Sequence, residues 1–143
     1  MEDKNLINNF NSNILIGLDN YFNELVNMYN SNAFPKVLLL SGKKGSGKFT
    51  LVIHLLNYIF SKNTYNLNEK SFNPKSPFHN KLSNNISENV IFLKHKENEN
   101  VKIEDIRNLK STISKHSIND NPRFIILDDV EKYNINSSNA LLK

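Results

Sequence analysis

Cysteine is absent from the 143 residues, which excludes disulfides, thiol chemistry and any cysteine-ligated zinc module. No apolar run approaches the roughly 20 residues needed to span a bilayer, and the opening residues, MEDKNLINNF, lack the core of a signal peptide. A cytoplasmic protein without membrane association is the expectation. Proline is scarce and falls at boundaries: Pro35 before an apolar run, Pro74 and Pro77 in an Asn- and Ser-rich stretch, Pro122 in a turn. The excess of basic over acidic side chains is small, a formal net charge of +4 and a pI near 9.2, a mild bias toward polyanionic partners. With 38% hydrophobic residues the chain can bury one modest core, so a single domain over 1–143 is expected.

Glycine is also scarce, four residues in all, yet Gly42, Gly45 and Gly47 lie together in KVLLLSGKKGSGKFT, residues 36–50. Val37 to Leu40 read as a short buried strand stopped by a turn, and Lys48 onward reads as a helix to about Phe60 with Leu51, Leu55 and Leu56 on one face. Strand, glycine loop and helix are the context of a phosphate-binding loop. Gly42, Gly47 and Lys48 meet Gly-x-x-x-x-Gly-Lys, a spacing that lets successive backbone N–H groups turn toward phosphate oxygens while the lysine reaches the outer phosphates. The helix N-terminus adds its dipole to the same anion site. The residue after that lysine normally supplies a hydroxyl to Mg²⁺, and here it is Phe49. Thr50 follows one residue late, rotated by roughly 100°. Phosphate binding is expected; metal-assisted hydrolysis lacks one of its ligands.

In chain order, residues 1–13 read as a loose, Asn-rich start. Ile14 to Tyr29 carry Leu18, Phe22, Leu25, Val26 and Tyr29 at helical spacing. His54 is a lone histidine on the loop's helix, a packing residue rather than a ligand. Residues 61–89 read as a long irregular insertion of the kind that is often mobile. His79, His95 and His116 are too scattered for a zinc site. Asn89 to Lys94 form a second strand, Lys96 to Asn100 a turn, and Val101 to Lys115 an amphipathic helix on Ile103, Ile106, Leu109 and Ile113. Arg123 to Leu127 form a third strand that runs into Asp128 and Asp129. Alternating strands and helices give an α/β fold with a parallel sheet whose ligands gather at the strands' carboxyl ends. There Asp128 fits the acid that holds a nucleotide's Mg²⁺, and Asp129 the position that orients an attacking water, one methylene shorter than the usual glutamate.

LLLSGKKGSGK, VKIEDIRNLKSTIS, RFIILDDVEKYN and NINSSNALLK, in that order, resemble the AAA+ domain of bacterial clamp-loader subunits from about Ile14 onward, and within it the delta-prime branch. The resemblance implies a three-layer αβα P-loop NTPase fold and an ATP-dependent hetero-oligomeric ring of clamp-loader subunits that loads a sliding clamp onto primed DNA. It implies that Gly42, Lys43, Lys44, Gly45, Ser46, Gly47, Lys48, Phe49 and Thr50 surround ATP phosphates, with Asp128 at the Mg²⁺ and Asp129 in the catalytic position. Phe49 and the lack of cysteine favour the delta-prime branch, a stator with little or no hydrolysis, over the tau/gamma branch, an active ATPase. A small P-loop kinase is a third reading, disfavoured by the NALLK segment. Family members continue past NALLK into a sensor strand, a Ser-Arg-Cys motif, a lid and a collar. The expectation is therefore a domain incomplete at its C-terminus, with Val37 to Leu40 deprived of a neighbour strand and the fold poorly stable alone.

Overall fold

The computed structural model describes residues 12–93, 103–114 and 121–142. They fall in two compact units, Met1–Asn84 and Asn85–Lys143.

The first unit is helical. Helix α1 (Asp19–Asn30) buries Phe22, Leu25 and Val26 on one face and places Asp19 in its first turn, where a negative charge suits the helix dipole. It stops because Asn32 adopts the left-handed conformation (φ 56°), with Asn32 N–H donating to Tyr29 O and Ala33 N–H to Met28 O. That pair of bonds is a Schellman cap, and asparagine tolerates its geometry. Helix α2 (Lys48–Phe60) is the centre of the unit: Leu51 and every residue from Ile53 to Tyr58 are buried. Helix α3 (Pro77–Ser83) starts on Ser76, whose hydroxyl accepts from His79 N–H, with Pro77 at a first-turn position where no N–H is required.

Three sequence expectations change here. The first helix starts at Asp19 rather than Ile14, because the chain before it is committed to another segment. Leu15 N–H donates to Lys70 O and Phe72 N–H to Asn13 O, an antiparallel contact of 13–15 with 70–72. The 61–89 stretch is not merely irregular. It contains α3, and its Tyr65 and Phe72 are buried against α1 and α2, Tyr65 stacking on Phe22 at 5.4 Å. Val37 to Leu40 form no strand; Val37 is 88% and Leu39 74% exposed. An apolar run becomes a buried strand only beside another strand, and among the described residues none pairs with it. Of the loose start, residues 1–11 lie outside the described residues.

The second unit is α/β. Strands β1 (Val90–Leu93) and β2 (Phe124–Leu127) pair in parallel, Val90 opposite Phe124 and Leu93 opposite Leu127. Helix α4 (Ile103–Ser114) lies between them in sequence and buries Ile106 and Leu109. Helix α5 (Ile135–Leu142) is capped by Asn134, whose Oδ1 accepts from Ser137 N–H at 2.8 Å. The core gathers Ile106 and Tyr133, with Leu93, Leu127 and Ala140 against them. This is the α/β pattern with a parallel sheet, in two strands; the polar turn expected at 96–100 lies outside the described residues.

Candidate phosphate-binding loop

The loop from Gly42 to Gly47 is exposed as far as Ser46, half-buried at Gly47, and ends where α2 begins. Gly45 (φ 80°) and Gly47 (φ 81°) hold left-handed conformations that a side chain disfavours. At Gly47 there is a second constraint: a Cβ there would meet Leu18 Cδ1 at 2.9 Å. Leu18 thus packs on the loop's last glycine, while its carbonyl accepts from Phe22 N–H to start α1.

Lys48 closes the loop from within. Its Nζ donates to Gly42 O at 2.8 Å, to Lys43 O at 2.9 Å and to Ser46 Oγ at 3.4 Å. Ser46 N–H also donates to Lys43 O. The ammonium therefore sits across the mouth of the turn, and with Lys43 and Lys44 it puts three positive charges within six residues, next to a helix N-terminus. Such a place attracts an anion. Gly42, Lys43, Ser46 and Lys48 are brought into direct contact, with Lys44, Gly45 and Gly47 between them in the turn. Phe49 and Thr50 are half-buried in the first turn of α2. The residues fit a phosphate group. They fit a bound Mg²⁺ less well, because Phe49 offers no oxygen where the metal's hydroxyl ligand is required.

Asp128 and Asp129 belong to the second unit. Asp128 follows β2 directly and its N–H donates to Leu93 O at 3.1 Å, one step beyond the strand pairing. Asp129 is left-handed (φ 48°, ψ 48°) and its carboxylate is bound by Lys132 Nζ. Hydrogen bonding to Asp129 is the main reason that the Lys132 ammonium holds its proton more tightly than usual. Tyr133 Oη donates to Leu93 O at 3.3 Å. Burial, reinforced by the charges of Asp128 and Asp129, pushes its hydroxyl up to about 12. Among the described residues no group of three or more His, Asp or Glu side chains is placed to hold a metal ion. The sequence pattern did not point to Lys132 as a partner of Asp129. The available signal was the three-residue step from Asp129.

The family model for the DNA polymerase III delta subunit matches residues 17–143. The chain belongs to that family. It is thereby a DNA polymerase III clamp-loader-type subunit, part of the replication machinery. No curated protein matches it. In this delta-family chain the match takes in Leu18, the whole glycine loop and the Asp128–Tyr133 turn. It leaves out the chain before Gly17, where Asn13 and Leu15 pair with 70–72. Among the described residues no helix is long and apolar enough to cross a membrane.

Proposed function

We propose that the chain is a clamp-loader subunit of the delta-prime type, which binds the phosphates of ATP at Gly42 to Lys48 and serves as a stator rather than a motor. Its fold is then that of an AAA+ P-loop domain, in three αβα layers, and its partners are the other subunits of a hetero-oligomeric ring that places a sliding clamp on primed DNA. One observation carries this reading: Lys48 binds back onto the Gly42 and Lys43 carbonyls while the next residue is Phe49. The loop is shaped for an anion before one arrives, but it has no hydroxyl for the metal that hydrolysis needs. Asp129 supports the same conclusion, since its carboxylate is engaged by Lys132. Asp128 remains the acid that would face an ATP-bound Mg²⁺, and Phe49 and Thr50 the residues flanking the phosphates.

The test is ATP binding and turnover by the protein assembled with its partner subunits. Replacing a charge-assisted contact is worth roughly 1.5–3 kcal/mol, so Lys48→Ala should weaken ATP binding by roughly 10- to 100-fold and leave turnover at its background level. Turnover that Lys48→Ala abolishes would establish a tau/gamma-type motor instead. ATP binding unaffected by Lys48→Ala would remove the loop from the reading.

A further inference from the structure

The interior of the first unit holds two histidines that the glycine loop does not use. His54 on α2 is fully buried and His79 on α3 nearly so. His54 Nε2 lies 2.9 Å from Ser12 O, and its Nδ1 lies 2.9 Å from the Tyr65 hydroxyl. A carbonyl only accepts, so Nε2 carries the proton, Nδ1 accepts, and Tyr65 donates. The neutral ring thus joins α2 to the chain before α1 and to the chain after α2. His79 Nδ1 lies 3.2 Å from Asn57 Nδ2, which also donates to Ile53 O at 2.9 Å. That ring nitrogen must also offer a lone pair. The Asn57 Oδ1 atom is buried and has no hydrogen-bond partner among the described residues. Phe72 bridges the two imidazoles, its ring centroid 4.9 Å from His54 and 4.5 Å from His79.

We propose that His54 and His79 form a proton-operated clasp: protonation of either ring releases residues 12–15 and 65–79 from α2. A proton on His79 Nδ1 would set two donors against each other, N–H facing the Asn57 amide. A proton on His54 Nδ1 would reverse its hydrogen bond with Tyr65, the Tyr65 oxygen accepting after its O–H rotates, so at His54 the cost is that of the buried charge itself. In both cases a charge appears among aromatic rings, where an ion is poorly solvated. The Ser12 carbonyl offsets it only in part, and only at His54. From α1 comes Phe22, edge-on to His54, and Asp19, whose charge acts on Tyr65; from α2 comes Tyr58, beneath Lys62 Nζ; and Lys70 Nζ lies over Phe22. His79 acts against a new positive charge on His54, and neither imidazole hydrogen-bonds a carboxylate among the described residues.

Burial lowers both histidines from their ordinary value of 6.5; for His54 the Ser12 carbonyl opposes this and His79 adds to it. Because the folded values are the lower ones, the open state binds more protons as acid is added. Closure is complete above about pH 6.5 and declines as pH falls through that value toward the folded pKa values. Each histidine contributes up to roughly a tenfold change in the opening equilibrium per pH unit within that window.

Amide hydrogen exchange of the protein at about pH 7.5 and about pH 5.5, one unit either side of the ordinary histidine value, reads the opening directly once intrinsic exchange rates are divided out. The expected result is a loss of protection in 12–15 and 65–79, of up to roughly tenfold for each histidine, with β1 and β2 unchanged. His54→Gln with His79→Leu should abolish that loss, since glutamine keeps a donor and an acceptor but does not titrate. Should this double variant not fold, proton NMR titration of the wild-type imidazoles decides: pKa values below 6.5 with protection falling on the same curve support the clasp. Equal protection at both pH values, an undiminished loss in the double variant, or both rings titrating at 6.5 would overturn it. The readout does not involve ATP, so it stands or falls separately from the phosphate site.

Discussion

Gly47→Ala tests the local geometry of the loop most directly. The substitution places a Cβ on a residue at φ 81° and against Leu18 Cδ1 at 2.9 Å. The left-handed conformation costs a non-glycine residue roughly 1–2 kcal/mol. The contact adds a separate cost. Leu18 Cδ1 is the end of a side chain that can rotate, and pushing it off its rotamer costs about 0.5–1.5 kcal/mol. Gly47→Ala alone should therefore destabilise the first unit by roughly 1.5–3.5 kcal/mol. With Leu18→Ala already in place the contact is gone, and the cost of Gly47→Ala should fall to the backbone part. Urea denaturation followed by circular dichroism, on the wild type, both single variants and the double, gives the difference as a coupling energy of about 1 kcal/mol. If Gly47→Ala costs the same in both backgrounds, Leu18 does not rest on the loop. If it costs nothing in either, the left-handed assignment is wrong.

Phe22, fully buried and in ring contact with Tyr58 and Tyr65, should lose about 3–5 kcal/mol of stability on Phe22→Ala. By contrast Val37→Ser, at an 88% exposed apolar position, should stay within about 0.5 kcal/mol of the wild type in the same urea titration. In the second unit Asn134→Ala removes the cap on α5 and should cost about 1 kcal/mol, read as a lowered urea midpoint without a changed slope.

Helix α2 was legible almost to the residue, from Lys48 to Phe60, because a glycine loop fixes its start and apolar periodicity its course. Strands β1 and β2 were legible for a related reason: IFL and FIIL are β-branched and aromatic runs bounded by polar residues, and each has the other to pair with. Val37 to Leu40 are as apolar but have no such pairing partner among the described residues, so hydrophobicity alone misassigned them. The 61–89 stretch failed in the opposite direction. Its asparagines, serines and prolines read as loop, while single aromatics at 65 and 72, far apart in sequence, meet Phe22 and His54 in the core. Pairing of 13–15 with 70–72 is likewise a long-range event that no local window contains. At the candidate site the motif located the glycines and lysines, but the rotamer that returns Lys48 to its own carbonyls and the capture of Asp129 by Lys132 are tertiary outcomes. No spacing rule states them.

The VLLL run, exposed from Val37 to Leu39, bears on how the protein behaves in concentrated solution. Four consecutive apolar residues with strand propensity and no strand partner among the described residues form a template for stacking identical chains edge to edge. Lys36 stands immediately before this run, and Lys43 and Lys44 follow it closely. Stacked in register, copies would bring those ammonium groups into repeated rows, so the lysines beside the run act as gatekeepers against self-association. Polyanions or high salt, by screening that repulsion, would weaken the protection.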